Sequence, residues 1–208
     1  MYIPPYFKIE DPEAIERVVR ENGLATLITA SSEGLKVSHL PLLYAPSDSA
    51  AGNGFITGHM SRGNDHWTAL DGESESLAIF HGPDAYVSPE WYEEGPAAPT
   101  WNFAVVHMRG PARAIDESDW LSEHVDKLTE HHEMKTLGHS TPTDRDYKVG
   151  RLGGIVGVQM KVASVEAKFK LNQNRSAADR LAVADHLDAI GDQAAEDVAG
   201  LMRRHGGA

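Results

Sequence analysis

Apolar positions along the chain follow two periods, and the change from one to the other marks the elements. Near the N-terminus, Ile15, Val18 and Val19 fall at helical spacing behind Asp11-Pro12, and Gly23 stands where a helix would close. The period then shortens. Residues 24–30 are rich in β-formers, Ser31-Ser32-Glu33-Gly34 is turn chemistry, and 36–44 form a second strand, so the pair predicts a hairpin. A Pro/Ser/Ala/Gly loop over 45–54 precedes a strand opening at Phe55-Ile56-Thr57-Gly58. Residues 77–81 and 85–88 read as two strands around a Gly82-Pro83-Asp84 turn, and 101–115 and 155–169 as two long strands. Between the long strands, Asp116 or Ser118 is placed to cap a helix through Trp120, Leu121, Val125 and Leu128. Ser176-Ala177-Ala178-Asp179 opens a helix to about Ile190, and Gly191-Asp192 restarts one that ends in Arg203-Arg204-His205.

Six or seven strands with hairpin connections, an inserted helix and helices at both ends predict a mainly β protein with peripheral helices, an antiparallel barrel rather than a βαβ sheet. The expected division is a barrel over 1–175, with the inserted helix around 117–134, and a helical extension over 176–208. The 208 residues suit such an organisation, and 41% hydrophobic with 24% charged residues is ordinary for a folded chain.

Charge narrows the function. The net charge of -12 opposes approach to a phosphate backbone unless a local basic face overcomes it. Absence of cysteine excludes disulfides and thiolate metal sites. The opening Met1-Tyr2-Ile3-Pro4-Pro5-Tyr6-Phe7-Lys8 has no secretion-signal character, and no apolar run reaches the ~20 residues of a membrane helix, so the expected address is the cytoplasm. There is no Gly-x-Ser-x-Gly elbow, Walker loop or GxGxxG.

Three segments carry chemistry. Thr57-Gly58-His59-Met60-Ser61-Arg62-Gly63-Asn64 follows a strand and suits a phosphate: glycines let the backbone approach, Ser61 and backbone N–H groups donate, and Arg62 offers paired donors. The same composition also serves a plain turn. Lys168-Phe169-Lys170-Leu171-Asn172-Gln173-Asn174-Arg175 is cationic and amide-rich, fit for a phosphate and a heterocycle edge, or else a solvated strand exit with a helix cap. In Pro99-Thr100-Trp101-Asn102-Phe103, strand alternation puts Trp101 and Phe103 on one face and Asn102 on the other. The eleven histidines do not make a metal site: His131-His132-Glu133 with His139 lacks zinc-ligand spacing, and His39, His59, His81 and His107 read as strand histidines or cofactor contacts.

Taken in order, Tyr2-Ile3-Pro4-Pro5-Tyr6-Phe7, Ser38-His39-Leu40-Pro41-Leu42, Gly58 to Asn64, Phe80-His81-Gly82-Pro83-Asp84-Ala85-Tyr86-Val87-Ser88-Pro89, Pro99-Thr100-Trp101-Asn102 and Lys168 to Arg175 resemble the PaiB-type FMN-binding family of negative transcriptional regulators. The likeness spans nearly the whole chain. That family is similar in fold to the pyridoxamine 5'-phosphate oxidase-like split barrels, so the resemblance implies a homodimer binding FMN between its subunits. It implies that Ser61, Arg62 and Asn64 take the phosphate with Thr57 and Gly58 nearby, His59 and Met60 lying in the same motif. Ser38, His39, Leu40 and Pro41 would run along the isoalloxazine ring, mostly through backbone. Trp101 and Asn102 would approach from the long strand, and Lys168, Lys170, Gln173 and Arg175 from the C-terminal motif. Gly63 stands where the split-barrel oxidases often have a second cation, which leaves Lys168 or Lys170 to replace it, and vitamin B6 oxidation does not transfer. The implied role is redox chemistry or sensing through FMN, with an FMN-dependent oxidoreductase as the enzymatic form. A repressor acting on DNA or through a partner, and a haem-binding barrel, are the alternatives. Residues 176–205 would form the helix-turn-helix, although Asp179, Asp185, Asp188, Asp192, Glu196 and Asp197 make a poor recognition surface.

Overall fold

The computed structural model describes residues 1–47 and 52–205, so the loop expected over 45–54 lies partly outside the described residues. The strands are β1 (Lys8–Ile9), β2 (Leu24–Ser31), β3 (Gly34–Ala45), β4 (Phe55–Ser61), β5 (Asp71–Val87), β6 (Thr100–Ile115), β7 (Ile155–Lys161) and β8 (Ser164–Lys170). The helices are α1 (Pro12–Glu21), α2 (Ser118–Leu137), α3 (Arg145–Leu152), α4 (Ala177–Ile190) and α5 (Gln193–His205). Contacts group the chain into two compact units, one of Met1–Asn22, Phe80–His107 and Glu166–Ala208, the other of Gly23–Ile79 and Met108–Val165.

The second unit is the barrel. Strand β2 pairs with β3 and β5, β3 with β4, β4 with β7, and β6 with both β7 and β5, so six strands close a ring. Closure removes the free edges on which other chains could pair. Alternation along each strand decides the interior: Leu27, Leu42, Ile56, Ala78, Met108 and Val158 point inward and are almost fully buried. Burying each large aliphatic chain contributes about 1.5–3 kcal/mol. Two glycines set how closely the wall packs. A side chain on Gly110 would overlap the Lys161 carbonyl, and Gly157 makes room for the Trp120 ring of α2.

In the first unit, β1 pairs with β8 through Lys8 and Lys168, and Ile9 and Ala167. Helix α1 buries Ala14, Val18 and Val19. The terminal helices are core elements of this unit: Val183, Ala184 and Leu187 of α4, with Val198 and Ala199 of α5, are fully buried. The boundaries of α4 follow the sequence reading, with Ser176 Oγ accepting from Asp179 N (3.2 Å) and Gly191 left-handed at φ 73°.

Several local expectations are corrected. Gly82-Pro83-Asp84 is not a turn, because β5 runs unbroken through it. Glycine suits a close approach there: a Cβ on Gly82 would lie 3.1 Å from Ala104 and 3.3 Å from Val18. The strand expected over 155–169 breaks at Val162-Ala163, whose amides turn aside to Gly54 O (3.0 Å) and Arg109 O (2.8 Å). Neither Asp116 nor Ser118 caps α2. Glu117 is its N-cap residue without a side-chain bond, since the Asp116 carboxylate pairs with Arg62. Nor does Gly23 close α1: Asn22 does, its backbone N–H (3.1 Å) and Nδ2 (2.8 Å) both donating to Val18 O. Helix α3 has no counterpart in the sequence reading.

Gly110→Ala is expected to lower stability by about 1–3 kcal/mol, because the clash is with backbone that cannot rotate away. Denaturant unfolding compared with the parent chain measures it.

Candidate functional site

The barrel unit carries the first group of candidate residues. Strand β4 ends at Ser61, and the chain reverses through Arg62 and Gly63 to Asn64, whose N–H donates to Ser61 O (2.9 Å). Ser61 Oγ accepts from Gly63 N (3.3 Å), and Trp67 Nε1 donates to Arg62 O (3.1 Å). Asn64 then caps the 3-10 turn Asp65–Ala69, its side-chain oxygen accepting from His66 N (3.1 Å).

Arg62 is already engaged. Its Nε donates to Gly153 O (2.9 Å), Nη2 donates to Ile155 O (3.0 Å), and the guanidinium pairs with Asp116. With 37% of its side chain still exposed, it would meet a phosphate as a charge shared with Asp116.

Behind the turn runs a buried polar chain. Asn64 Nδ2 donates to Ser38 Oγ (2.9 Å), Ser38 Oγ meets His66 Nδ1 (2.9 Å), His66 Nε2 meets Thr29 Oγ1 (2.9 Å), and Thr29 Oγ1 meets Ser76 Oγ (2.7 Å). Thr29, His66 and Ser76 are each 1% exposed and Ser38 6%. This is where the barrel interior turns polar. Burial holds the His66 imidazole below its ordinary pKa, Asp65 opposing and Lys36 adding to the effect. His66 escaped the sequence reading; the Asn64 cap two residues before it was the available signal.

Other residues of this group stand elsewhere on the wall. Leu40 and Met60 are buried among the inward side chains, and Gly58 faces inward against Leu42. Any part they have in a ligand site is through backbone. Thr57 and Pro41 are half-buried, and His39 faces outward with Nδ1 3.1 Å from Thr26 Oγ1. His59 lies edge-on to His124 of α2 at 5.4 Å between ring centres, and His124 stacks on Trp120 at 5.0 Å. His59 Nδ1 and His124 Nε2 have no hydrogen-bond partner among the described residues. No group of three metal-ligating side chains occurs among the described residues.

The second group belongs to the first unit. A cleft of about 410 Å³ is lined by His81, Asp84, Trp101, Phe103, Val105 and His107, among others. Trp101 is 54% exposed, and Tyr86 meets it edge-on at 6.1 Å. Lys170 Nζ donates to Trp101 O (2.6 Å) and to Thr100 Oγ1. Lys168 Nζ lies 5.4 Å from the Phe103 ring centre and donates to Tyr2 O (3.2 Å). Neither lysine has a carboxylate partner among the described residues. Burial, and then the Lys168 charge, draw the Lys170 pKa down.

Three expected contacts point elsewhere. Asn102 is fully buried on the face opposite Trp101, its Nδ2 3.4 Å from Met202 Sδ and its Oδ1 without a partner among the described residues. Gln173 uses both ends of its amide on its own loop, accepting from Leu171 N (2.8 Å) and donating to Phe169 O (2.7 Å). Arg175 lies over the Tyr92 ring at 4.9 Å. The Asp179 carboxylate, read from sequence only as part of the α4 opening and of an acidic face, accepts from Glu93 N and Glu94 N at 2.9 Å each, tying the loop that carries Tyr92 to α4.

In the first unit, an aromatic cleft with cations beside it suits a planar ring bearing an anionic tail. In the barrel unit, the polar turn suits an anion. Residues 1–164 match the family described as "Putative FMN-binding domain". The chain belongs to this FMN-binding family. The family member is 35% identical over 204 residues to protease synthase and sporulation protein PAI 2 of Bacillus subtilis (strain 168), covering 97% of this chain and 96% of that protein. It is 27% identical over 231 residues to an uncharacterized protein of Emericella nidulans, covering 92% of each. Among solved structures, the FAD and heme binding protein from Mycobacterium smegmatis is similar with a TM-score of 0.60 at 13% identity, over 84% of this chain and 78% of that one. A flavocytochrome from Azotobacter vinelandii gives 0.54 at 13% identity, over 81% and 72%. These likenesses establish the split-barrel fold, and no helix among the described residues is long and apolar enough to cross a membrane.

The buried histidines set an acid limit on this FMN-binding-family fold. Burial, then the His59 and Lys127 charges, push the His124 pKa down to about 4. Above the unfolded value of about 6.5 the ring is neutral in both states and stability is full. As pH falls from there toward about 4, the unfolded chain takes the proton first and stability is lost. Melting temperature is expected to fall across that window, and His124→Phe to reduce the slope by up to about 1.4 kcal/mol per pH unit. Melts recorded at stepped pH on both proteins check this.

Proposed function

We propose that the protein is an FMN-dependent flavoprotein with a redox or sensing role, working as a homodimer that holds FMN at its subunit contact. The carrying observation is the Trp101–Phe103 cleft with Lys168 and Lys170 beside it. Its volume of about 410 Å³ falls within the usual range for small-molecule sites. Trp101 offers a face to a planar ring. The two lysines supply the charge that an anionic tail requires, and an anion there would relieve their mutual repulsion. In the barrel unit, Ser61, Asn64 and the turn's backbone suit the phosphate, with Ser38 beside Asn64. When bound, FMN supplies one- and two-electron transfer at its isoalloxazine ring. The chain's own task is to stack, orient and charge-match that ring and tail.

A direct DNA-binding role lacks such an observation. The basic end of α5 is turned onto its own protein, Arg203 pairing with Asp185 (2.8 Å) and Asp188 (2.7 Å) of α4. A regulatory role of the kind the family resemblance implies is better placed in the state of the flavin than in groove contacts.

Protein purified without added flavin is expected to show flavin absorbance or to take up one FMN per chain on titration. Colourless protein that ignores added FMN sinks the reading. Trp101→Ala is expected to weaken FMN about 5- to 100-fold, the range for loss of one aromatic stacking face. Lys170→Met should weaken FMN more than riboflavin, which lacks the phosphate.

A further inference from the structure

We propose that His66 is the positioning residue for the Ser38–Asn64 pair: from inside the barrel it sets which way the Ser38 hydroxyl points, and so what that pair offers to the phosphate of FMN. The inference rests on the FMN reading above and deepens it for the barrel group.

The hydrogen bonds leave few alternatives. Asn64 Oδ1 is taken by His66 N (3.1 Å), so the amide is oriented and its Nδ2 is the group on Ser38 Oγ (2.9 Å). Ser38 Oγ therefore accepts from Asn64 whatever else it does. Its own hydrogen is governed by His66. With the neutral ring protonated at Nε2, that nitrogen donates to Thr29 Oγ1, Nδ1 accepts, and the Ser38 hydroxyl hydrogen is drawn inward. With Nδ1 protonated, in the other tautomer or the cation, the ring donates to Ser38 Oγ. The oxygen then holds two donors and its hydrogen is released outward. Only the second arrangement gives a phosphate oxygen a donor from Ser38 beside the remaining N–H of Asn64. Asn64 is half-buried at the turn and Ser38 and the ring are buried behind it, so a ligand would meet the pair from the Asn64 side.

The surroundings of His66 favour a response to pH. From β2 it faces the neutral hydroxyl of Thr29, which bonds in turn to Ser76 of β5. On its own turn stands Asp65, and from β3 comes Lys36, whose Nζ is 2.7 Å from Asp65 and 3.3 Å from Glu33. Burial keeps the ring neutral near pH 7. A bound phosphate dianion favours the protonated ring, so FMN affinity should rise as pH falls through the histidine range.

The test measures FMN and riboflavin affinity of the full chain by flavin fluorescence titration, at intervals from about pH 8 to about pH 5.5, spanning the histidine range. His66→Phe removes both the ring's pull on the Ser38 hydrogen and its charge, so it is expected to lose the parent's gain in FMN affinity at low pH and to leave riboflavin nearly unchanged. His66→Asn, which keeps a donor toward Ser38 without a titrating ring, should bind FMN at least as tightly as His66→Phe and likewise lack the parent's gain at low pH beyond that due to the phosphate's own ionisation near ~6. If His66→Phe does not fold, His66→Asn carries the test alone, through its missing gain in FMN affinity at low pH. Folded variants with the parent's FMN affinity at every pH overturn the proposal, as does an equal loss for riboflavin, which would place the effect in the barrel and not at the phosphate. A parent chain that binds no FMN overturns the underlying reading instead.

Discussion

The pairing of β6 with both β5 and β7 is the constraint on which the rest depends. A closed ring of six strands has a fixed interior, and what fills it is decided by which residues alternate inward. Through most of its length the filling is aliphatic. At the end bounded by Thr29, Ser38 and Ser76 the inward positions are hydroxyls, and the 3-10 turn Asp65–Ala69 brings His66 to them. Each buried polar group left without a partner would cost about 1–3 kcal/mol, so a single imidazole bridging two hydroxyls holds that end together as much as the aliphatic layer holds the middle. Because Asn64 both caps that turn and bonds Ser38, the plug of the barrel and the candidate binding turn are one piece of chain.

What could be read from the chain was what local chemistry decides. Helix α4 begins and ends where its serine cap and left-handed glycine say, since both act within a few residues. The strands of the hairpin β2–β3 were legible because alternation and a short turn need no distant partner. Gly82 was misread for the opposite reason. Glycine serves both turns and close approach, and the choice rests on Ala104 and Val18, which no local window contains. Asp116 looked like a cap and became the partner of an arginine 54 positions away. His66 carries no strand pattern of its own, and its partners lie 28 and 37 residues earlier.

The candidate site was legible to the same degree. Strand alternation placed Trp101 and Phe103 on one face, and both line the cleft. It also put Asn102 on the other face, yet only packing reveals that this face meets Met202 of α5. Composition marked Arg62, Gln173 and Arg175 as ligand donors, and each is held by its own unit: Arg62 by Gly153, Ile155 and Asp116, Gln173 by its own loop, and Arg175 by the Tyr92 ring. Donor-rich residues advertise capacity, and the fold decides how much of it is spent internally.

What is left unspent is the stronger functional signal. Stability alone would not favour two neighbouring lysines without a carboxylate among the described residues, in a chain that has 31 acidic residues to offer. Nor would it favour a tryptophan more than half exposed at the mouth of a cleft. The hydroxyl–imidazole chain in the barrel has the same character: it can be drawn with its donors running either way, so the apoprotein fixes the positions of Ser38 and Asn64 without fixing the polarity they present. A fold consistent at every level would have neutralised the cations, covered the ring and given the hydroxyls a single direction. In the first unit an anionic ligand with a flat ring would bring the missing charge and the missing stacking surface; in the barrel an anion would be the acceptor that makes one direction of the chain preferable to the other.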